Sequence, residues 1–268
     1  MEVVRATRTP EGPTTERLRH LGDEIEIEAW GPGSGWALDV ALDLVGERDD
    51  PQPFRPEHPL LRDLLRRLPG LRMGRSNAVF EALVPAVLEQ KITGLEAGRV
   101  RRRLVQLYGE PAPGPPEVSA GLFVPPAPER LAALPYHAFH PLGLERRRAE
   151  TLIRLAGRAT ALEALVARPP DEARTRLDAL PGVGPWTAAE TARIALGDPD
   201  AVSVGDYHLP SLVSWALAGE PRGDDGRMLQ LLEPYAGQRG RVQRLLEASG
   251  ISAPRYGPRM AARSIEGI

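Results

Sequence analysis

The chain has 268 residues and contains no cysteine. This absence excludes disulfides, thiolate zinc sites, iron–sulfur clusters held by cysteine, and cysteine nucleophiles. Lysine is almost as scarce, because Lys91 is the sole lysine among 34 basic residues. We interpret the excess of arginine as a coding bias rather than as a functional signal.

Long apolar runs are also missing. No stretch approaches the roughly 18 uninterrupted apolar residues of a membrane-spanning helix, and the first five residues lack the apolar region of a secretory signal. We therefore expect a soluble, cytoplasmic protein. The net charge of -2 supplies no bulk basic footprint, so any contact with nucleic acid must come from local geometry.

One clear strand pattern stands near the N-terminus. Residues 24–30 alternate polar and apolar side chains, residues 31–35 form a glycine-rich break, and residues 36–42 resume the pattern. This spacing predicts a β-hairpin. A proline-rich run at residues 49–56 then marks a boundary, which predicts a small β-containing N-terminal domain over residues 1–56.

From residue 57 onward, apolar residues recur three and four positions apart, with Gly or Pro between the runs. This pattern predicts a helical domain over residues 57–250 and a tail over residues 251–268. The fold class is therefore mainly α with a small α+β N-terminal part. The predicted helices span Pro59–Leu68, Ala78–Tyr108, Pro128–Leu134, Arg146–Ala167, Asp171–Leu180, Pro185–Leu196, Leu209–Ala218 and Arg227–Ser249.

The segment LPGVGPWT begins at Leu180 and joins two of these predicted helices. Gly182 and Gly184 allow a ligand to approach the backbone closely, and Pro185 suits the first position of a helix. The start of that helix offers N–H groups that favour a phosphate. The segment is therefore interpreted as a helix-hairpin-helix that can bind a phosphate; an ordinary connection between packed helices is the alternative.

A single carboxylate, Asp206, follows Gly184 by 22 residues and ends the apolar run that begins at Ala201. It lies just before the predicted helix at Leu209, where an aspartate commonly caps the helix. A catalytic role and a capping role are compatible, since the helix dipole favours an ionised carboxylate there.

Three further stretches accompany these features in order along the chain: FEALVPAVLEQ from Phe80, LYGE from Leu107, and LGLERRRAE from Leu142. Together with the hairpin and Asp206, they resemble the helix-hairpin-helix DNA glycosylase superfamily, and specifically its 3-methyladenine DNA glycosylase II branch. The resemblance covers about residues 75–248. It implies a bilobal all-α helix-hairpin-helix glycosylase architecture, with the damaged nucleotide turned out into a pocket between the lobes.

The resemblance implies that Asp206 is the catalytic residue, that it stabilises an oxocarbenium-like sugar and that it orients the attacking water. Gly182, Gly184 and Thr187 would hold the DNA backbone. Trp186 would stack on a cationic alkylated purine, although a core tryptophan is the alternative. Tyr207, Tyr136 and Phe139 are the other candidates for the base pocket; the last two, with their neighbouring histidines, could equally fill an interface.

A lysine that attacks the sugar stands at the position of Trp186 in bifunctional members of the superfamily. The chain is therefore expected to hydrolyse the base without cleaving the strand. Gln90, Lys91 and Ile92 occupy the place of the residue that wedges into the gap left by the flipped base. Lys91 departs from the usual apolar or amide side chain, and a reaction of Lys91 with the abasic product is a minor alternative.

The expected partner is double-stranded DNA with damaged bases, bound by a monomer that is associated with the nucleoid. We expect no required cofactor or metal; a monovalent cation at the backbone carbonyls of the hairpin is the one candidate ligand. Two other functions stay open: a glycosylase for oxidised or deaminated bases, and a non-catalytic helix-hairpin-helix DNA-binding protein. The arginine runs at residues 101–103 and 146–148 are predicted to be solvated, with a phosphate contact by one arginine of each run as the alternative. Arg255, Arg259 and Arg263 either contact DNA or lie in a disordered tail.

Overall fold

The structure is a computed structural model that describes residues 1–254. The predicted contacts of Arg255, Arg259 and Arg263 lie outside the described residues. Within residues 1–254 the contacts define two compact units. Unit 1 comprises Met1–Leu44 and Asn77–Leu165, and unit 2 comprises Val45–Ser76 and residues 166–254. The domain boundaries at residues 56 and 250 stay a prediction.

Unit 1 opens with an antiparallel sheet in the order β1-β2-β3. The strands are β1 (Glu2–Thr9), β2 (Gly12–Leu21) and β3 (Glu24–Trp30). Strand β3 forms as predicted, but it pairs with β2, so that Leu18 lies opposite Ile27. The predicted hairpin partner over residues 36–42 is therefore wrong.

That segment instead forms the short helices α1 (Ser34–Asp39) and α2 (Ala41–Leu44). Ala37 and Ala41 are buried, but Asp39 between them is exposed. One face of a strand would bury all three positions, whereas a helix places residues four apart on one face and the residue between them elsewhere.

The remaining elements of unit 1 are mainly helical. The next helix in the chain, α3 (Pro59–Arg67), belongs to unit 2. The elements of unit 1 that follow it are α4 (Val79–Leu88), α5 (Gly94–Tyr108), β4 (Glu110–Pro111), α6 (Pro116–Ser119), β5 (Phe123–Val124), α7 (Pro128–Ala132), α8 (Arg146–Ala156) and α9 (Ala159–Glu163). Two short 3₁₀ turns, Tyr136–Ala138 and His140–Leu142, lie between α7 and α8.

One long helix predicted in this region, Ala78–Tyr108, is divided into α4 and α5. Lys91 has a φ of 58°, in the left-handed region, and this interrupts the helix. Thr93 then starts α5 with a capping box, because its hydroxyl accepts the Glu96 N–H while the Glu96 carboxylate accepts the Thr93 N–H.

Unit 2 contains α3, α10 (Pro170–Asp178), α11 (Pro185–Ala195), α12 (Leu209–Ala218), α13 (Asp225–Leu232) and α14 (Arg239–Ala248). Its apolar core gathers Phe54, Leu61, Leu64, Val213, Met228, Leu232, Val242 and Leu245, among others. The predicted helix Arg227–Ser249 breaks between α13 and α14, where Pro234 and Gly237 follow each other within a turn and Gly237 has a φ of 86°.

The observed elements confirm the mainly α fold class with a small N-terminal sheet. Among residues 1–254, no helix combines the length and the apolar character that crossing a bilayer requires.

Candidate active site

The predicted helix-hairpin-helix is present in unit 2 as α10, a tight turn and α11. The Val183 N–H donates to the Leu180 carbonyl at 3.0 Å, and Gly182 has a φ of 84°. Proline at the second place of this turn and a left-handed glycine at the third are typical of a type II turn. Gly184 is extended and caps α11, whose first residue is Pro185. Pro181 and Gly182 are exposed, so the tip of the turn is open to a ligand.

A second turn, Ser203 to Asp206, presents the predicted catalytic carboxylate. The Asp206 N–H donates to the Ser203 carbonyl at 3.1 Å, and Gly205 at the third place has a φ of 91°. Only glycine adopts this conformation without strain. The turn therefore determines the direction in which Asp206 leaves the backbone.

The side chain of Asp206 is held on both of its oxygens. Oδ1 accepts the backbone N–H groups of His208 at 2.7 Å and Leu209 at 2.8 Å, which lie at the start of α12. Oδ2 accepts the indole N–H of Trp186 at 3.2 Å. Asp206 therefore caps the start of α12 and, with its other oxygen, also accepts a hydrogen bond from Trp186.

The structure thus brings together two of the predicted site residues, Trp186 and Asp206. Trp186 is half-buried in the first turn of α11, so it is not a residue of the closed core. Its indole edge faces Asp206, a contact that the sequence did not reveal. Because a carboxylate offers about four acceptor positions, the three bonds described leave one position, on Oδ2.

The other site residues predicted in unit 2 have different environments. Tyr207 is 88% exposed, and its ring meets His208 edge-on at 4.8 Å between centroids. Thr187 is only 2% exposed, so its hydroxyl could reach a phosphate only after a rearrangement of α11. Gly184 has open space where a β carbon would stand.

The predicted residues of unit 1 are described within that unit. Tyr136 is half-buried, and the guanidinium of Arg146 lies 5.4 Å from the centre of its ring. Phe139 has no exposed surface, so its ring is closed to a base unless its neighbours move. Their roles in the pocket stay a prediction.

The three wedge candidates lie in the turn between α4 and α5. Lys91 is exposed at its tip, whereas Gln90 and Ile92 are half-buried beside it. The structure therefore presents Lys91 most openly, and the assignment of the wedge stays a prediction.

One of the arginines predicted to be solvated is buried. Arg148 is 4% exposed and donates to the Leu88 carbonyl at 2.6 Å, at the end of α4. Burial lowers the pKa of Arg148, and Glu145 opposes this effect. A pattern of three consecutive arginines does not reveal which one lies on the inner face of a helix.

Polar residues that surround the Asp206 turn were not predicted from the sequence, among them Ser203 and Gln243. Ser203 is the one polar residue in the apolar run Ala201–Val204, which was an available signal. Among the described residues, no group of three histidine, aspartate or glutamate side chains converges as a metal site.

Curated relatives were found for about half of the chain. The probable bifunctional transcriptional activator/DNA repair enzyme AlkA of Mycobacterium tuberculosis is 36% identical over 152 residues, which are 56% of this chain and 30% of the relative. DNA-3-methyladenine glycosylase 2 of Escherichia coli is 37% identical over 122 residues, which are 45% of this chain and 42% of the relative. The chain thus spans less than half the length of either relative. No protein-family model matches it.

Among solved structures, the 3-methyladenine DNA-glycosylase of Archaeoglobus fulgidus superposes with a TM-score of 0.76 at 21% identity, over 92% of this chain and 86% of that one. The chain has the helix-hairpin-helix DNA glycosylase fold. The curated relatives and this fold together confirm the predicted resemblance. The hairpin turn and the Asp206 turn both lie in unit 2, the first just before α11 and the second after it.

Proposed function

We propose that the protein is a monofunctional DNA glycosylase of base excision repair. It would flip an alkylated purine of the 3-methyladenine type out of duplex DNA and hydrolyse the N-glycosidic bond, leaving an abasic site. The observation that carries this proposal is the hydrogen bond of 3.2 Å between Trp186 on the hairpin and Asp206. It joins an aromatic side chain and a carboxylate directly behind a turn that is open to DNA.

Asp206 would carry the chemistry. Departure of the base leaves positive charge on the sugar, and a fixed carboxylate stabilises such a charge without reorganising during the reaction. The N–H groups of His208 and Leu209 hold Oδ1, so Oδ2 is the oxygen with a free acceptor position for a water molecule or the sugar. The bond to the purine would break and its electron pair would leave with the purine. The water would then add to the sugar carbon and pass its proton to Oδ2 of Asp206.

The hairpin would hold the DNA backbone while the base is out of the stack. Flipping a base costs a few kcal/mol, so a grip on the adjacent phosphates is needed. Gly182 is exposed and Gly184 has open space beside its Cα, which allows a phosphate to approach the main chain at the start of α11.

An alkylated purine is cationic, so an aromatic face attracts it by about 0.5–2 kcal/mol. Trp186 uses its indole edge for Asp206, so a face of the ring would serve for stacking. The names of the relatives favour the same substrate, because one is a DNA-3-methyladenine glycosylase and the other a DNA repair enzyme.

Strand cleavage is not expected. A lyase step needs an amine nucleophile, and the residue on the hairpin is Trp186, whose indole nitrogen is not basic. The sole lysine, Lys91, lies in another turn of the chain.

We further propose that the enzyme acts as a monomer in the cytoplasm, on DNA of the nucleoid, without a required cofactor. Backbone carbonyls of the hairpin turn are suitable ligands for a hard monovalent cation. A comparison of DNA affinity in potassium and in tetramethylammonium chloride, at equal ionic strength, tests this point: tighter binding in potassium is expected.

The function is tested with a panel of duplexes that each carry one lesion. We expect release of 3-methyladenine and 7-methylguanine, and strand breaks only after alkali treatment of the product. Release of 8-oxoguanine, uracil or hypoxanthine in preference would favour the glycosylase for oxidised or deaminated bases.

Asp206→Asn is the decisive variant, with Asp224→Asn as its matched control. Asp224 also caps a helix in unit 2, since it accepts the Arg227 N–H at 2.8 Å. We expect Asp206→Asn to lose base release while DNA binding is retained, and Asp224→Asn to keep both. Wild-type protein that binds DNA but releases no base from any duplex would identify a non-catalytic DNA-binding protein.

A further inference from the structure

A buried polar network lies behind the turn that carries Asp206. Its centre is Ser203, the first residue of the turn, which is 1% exposed. The Ser203 N–H donates to Oε1 of Gln243 at 3.1 Å, and Nε2 of Gln243 donates to the Ser203 hydroxyl at 3.0 Å. The amide of Gln243, itself 1% exposed, therefore grips Ser203 through two antiparallel hydrogen bonds.

Charged residues on α11 and α14 extend the network. The Ser203 hydroxyl donates to Glu190, and Nε2 of Gln243 also donates to Glu247 at 2.8 Å. Arg193 closes the ring, because its guanidinium bonds Glu190 at 2.8 Å and Glu247 at 2.6 Å. Burial alone would lower the pKa of Arg193, but the two glutamates outweigh burial and raise it.

The orientation of the Gln243 amide follows from this ring. Its Nε2 faces the Glu247 carboxylate and the Ser203 hydroxyl, both of which can accept, so Oε1 must face the Ser203 N–H. A group at this place must donate twice and accept once, which a primary amide does.

A separate contact holds the far side of the same turn. The Gly205 N–H donates to Oδ1 of Asp225 at 3.0 Å, at the start of α13. The Ser203 carbonyl accepts the Asp206 N–H inside the turn. Ser203 is therefore held from α11 and α14, Gly205 is held from α13, and Asp206 is the next residue.

We propose that Gln243 and Ser203 are positioning residues for Asp206, which they hold at the reacting sugar through the Ser203–Asp206 turn. This inference rests on the proposed glycosylase function. Neither side chain touches the substrate, since both are closed to solvent. A displacement of about 1 Å at a reacting group costs on the order of 100-fold in rate, so the anchor of the turn has a direct catalytic effect.

Two variants remove the anchor in different ways. Gln243→Met keeps the approximate length of the side chain and removes all three hydrogen bonds of the amide, and Ser203→Ala removes only the hydroxyl. Single-turnover base release is measured with the enzyme in excess, together with the Kd for a duplex that contains an abasic site.

We expect Gln243→Met to lower the single-turnover rate roughly 10- to 100-fold, with the Kd within about 2-fold of the wild-type value, since the hairpin is untouched. Ser203→Ala should give a smaller loss in the same direction. In the double variant the losses should be less than multiplicative, because both substitutions break the same contact.

Asp49→Asn is the control for loss of stability alone. Asp49 forms a buried ion pair with Arg241, which lies on α14 two residues before Gln243, and it makes no contact with the Asp206 turn. Below its melting temperature, this variant should release base at the wild-type rate.

Hydrogen exchange of the Asp206 amide gives a readout that does not depend on activity. Loss of the anchor should speed its exchange in Gln243→Met at least 10-fold, and Asp49→Asn should leave it unchanged. If the wild-type protein releases no base, the proposed function fails, and this exchange result still decides whether Gln243 holds the turn. Unchanged exchange in Gln243→Met, or a rate loss equal to that of Asp49→Asn, would overturn the inference.

Discussion

The indole N–H of Trp186 donates to Oδ2 of Asp206, and this bond of 3.2 Å joins the hairpin to the carboxylate across 20 residues of chain. A tryptophan has one polar edge and two apolar faces. In the proposed function, the edge of Trp186 would orient Asp206 and a face of the ring would recognise the base. These two proposed functions of Trp186 can be separated by mutation.

Trp186→Phe keeps an aromatic face and removes the N–H donor. A hydrogen bond to a charged group is worth about 1.5–3 kcal/mol, so we expect base release to fall about 10-fold or more for every lesion that the enzyme accepts. Trp186→Leu removes the face as well and should lower the rate further for cationic bases than for neutral ones. Single-turnover rates on matched duplexes measure both effects; a lesion-selective loss in Trp186→Phe would assign the residue to recognition alone.

Gly182 and Gly184 predict different outcomes for the same substitution. Gly182→Ala places a side chain at a φ of 84°, which costs about 1–2 kcal/mol in stability. Gly184→Ala fits the free protein, since Gly184 is extended and nothing lies within 4 Å of a β carbon there. We expect thermal melting to shift for Gly182→Ala alone. DNA affinity should fall for both, because the added methyl stands where a phosphate approaches; unchanged affinity in Gly184→Ala would place the DNA elsewhere.

The ion pair of Asp49 and Arg241 predicts an acid-sensitive stability. Burial would raise the pKa of Asp49, but hydrogen bonds from Arg241 and the Met73 N–H outweigh it and lower the pKa. A depressed pKa contributes stability that is present above the pKa of the unfolded chain, about 3.9, and is lost as the pH falls through the lower folded value. Asp49→Asn should therefore destabilise by about 3–5 kcal/mol at pH 7. In urea unfolding, its deficit relative to the wild type should shrink below about pH 4.

Glu16 predicts a contribution to stability that changes with pH in the opposite direction. It is buried in the sheet of unit 1, where burial raises its pKa, Arg5 lowers it and Glu81 raises it further, with a net rise. Nε of Arg5 lies 3.3 Å from Oε2 of Glu16. A carboxyl group with a raised pKa costs stability as the pH rises above the unfolded value of about 4.3.

Glu16→Gln removes that cost. We expect the stability of this variant relative to the wild type to increase between pH 4 and pH 7, a range in which the deficit of Asp49→Asn is nearly constant because its change falls below about pH 4. Urea midpoints at the two pH values check this prediction, and an unchanged difference between Glu16→Gln and the wild type would contradict it.

Local signals in the sequence were sufficient for several elements. Helix α12 begins and ends as predicted. The hairpin segment forms because Pro181 and Pro185 fix their own φ, and Gly182 permits the left-handed conformation that the turn requires. Such signals act through a residue's own φ and its nearest neighbours.

The strands β1 and β2 were missed for a physical reason. Thr7, Thr14 and Glu16 are buried on one face of the sheet and Thr15 is buried on the other, so several buried positions are polar and the alternation of apolar residues is absent. Arg5 of β1 instead lies opposite Glu16 of β2, and the register that pairs them depends on both strands rather than on either one alone.

The long predicted helices failed at their interruptions. The helical spacing of apolar residues continues across the turn at Lys91 and across the break at Gly237, because the helices on both sides of each interruption have a buried apolar face. The capping box of Thr93 and Glu96 was the local signal that marked the first of these interruptions.

By itself, the sequence determined the mainly helical fold class, the hairpin and the spacing of Asp206 from it, because these depend on short-range backbone preferences and on a fixed interval along the chain. Only the tertiary structure decided that the edge of Trp186 holds Asp206, that Phe139 and Arg148 are buried, and that Gln243 holds Ser203 from 40 residues away. Those contacts depend on how the helices pack, and the packing is determined by many buried residues from distant parts of the chain together.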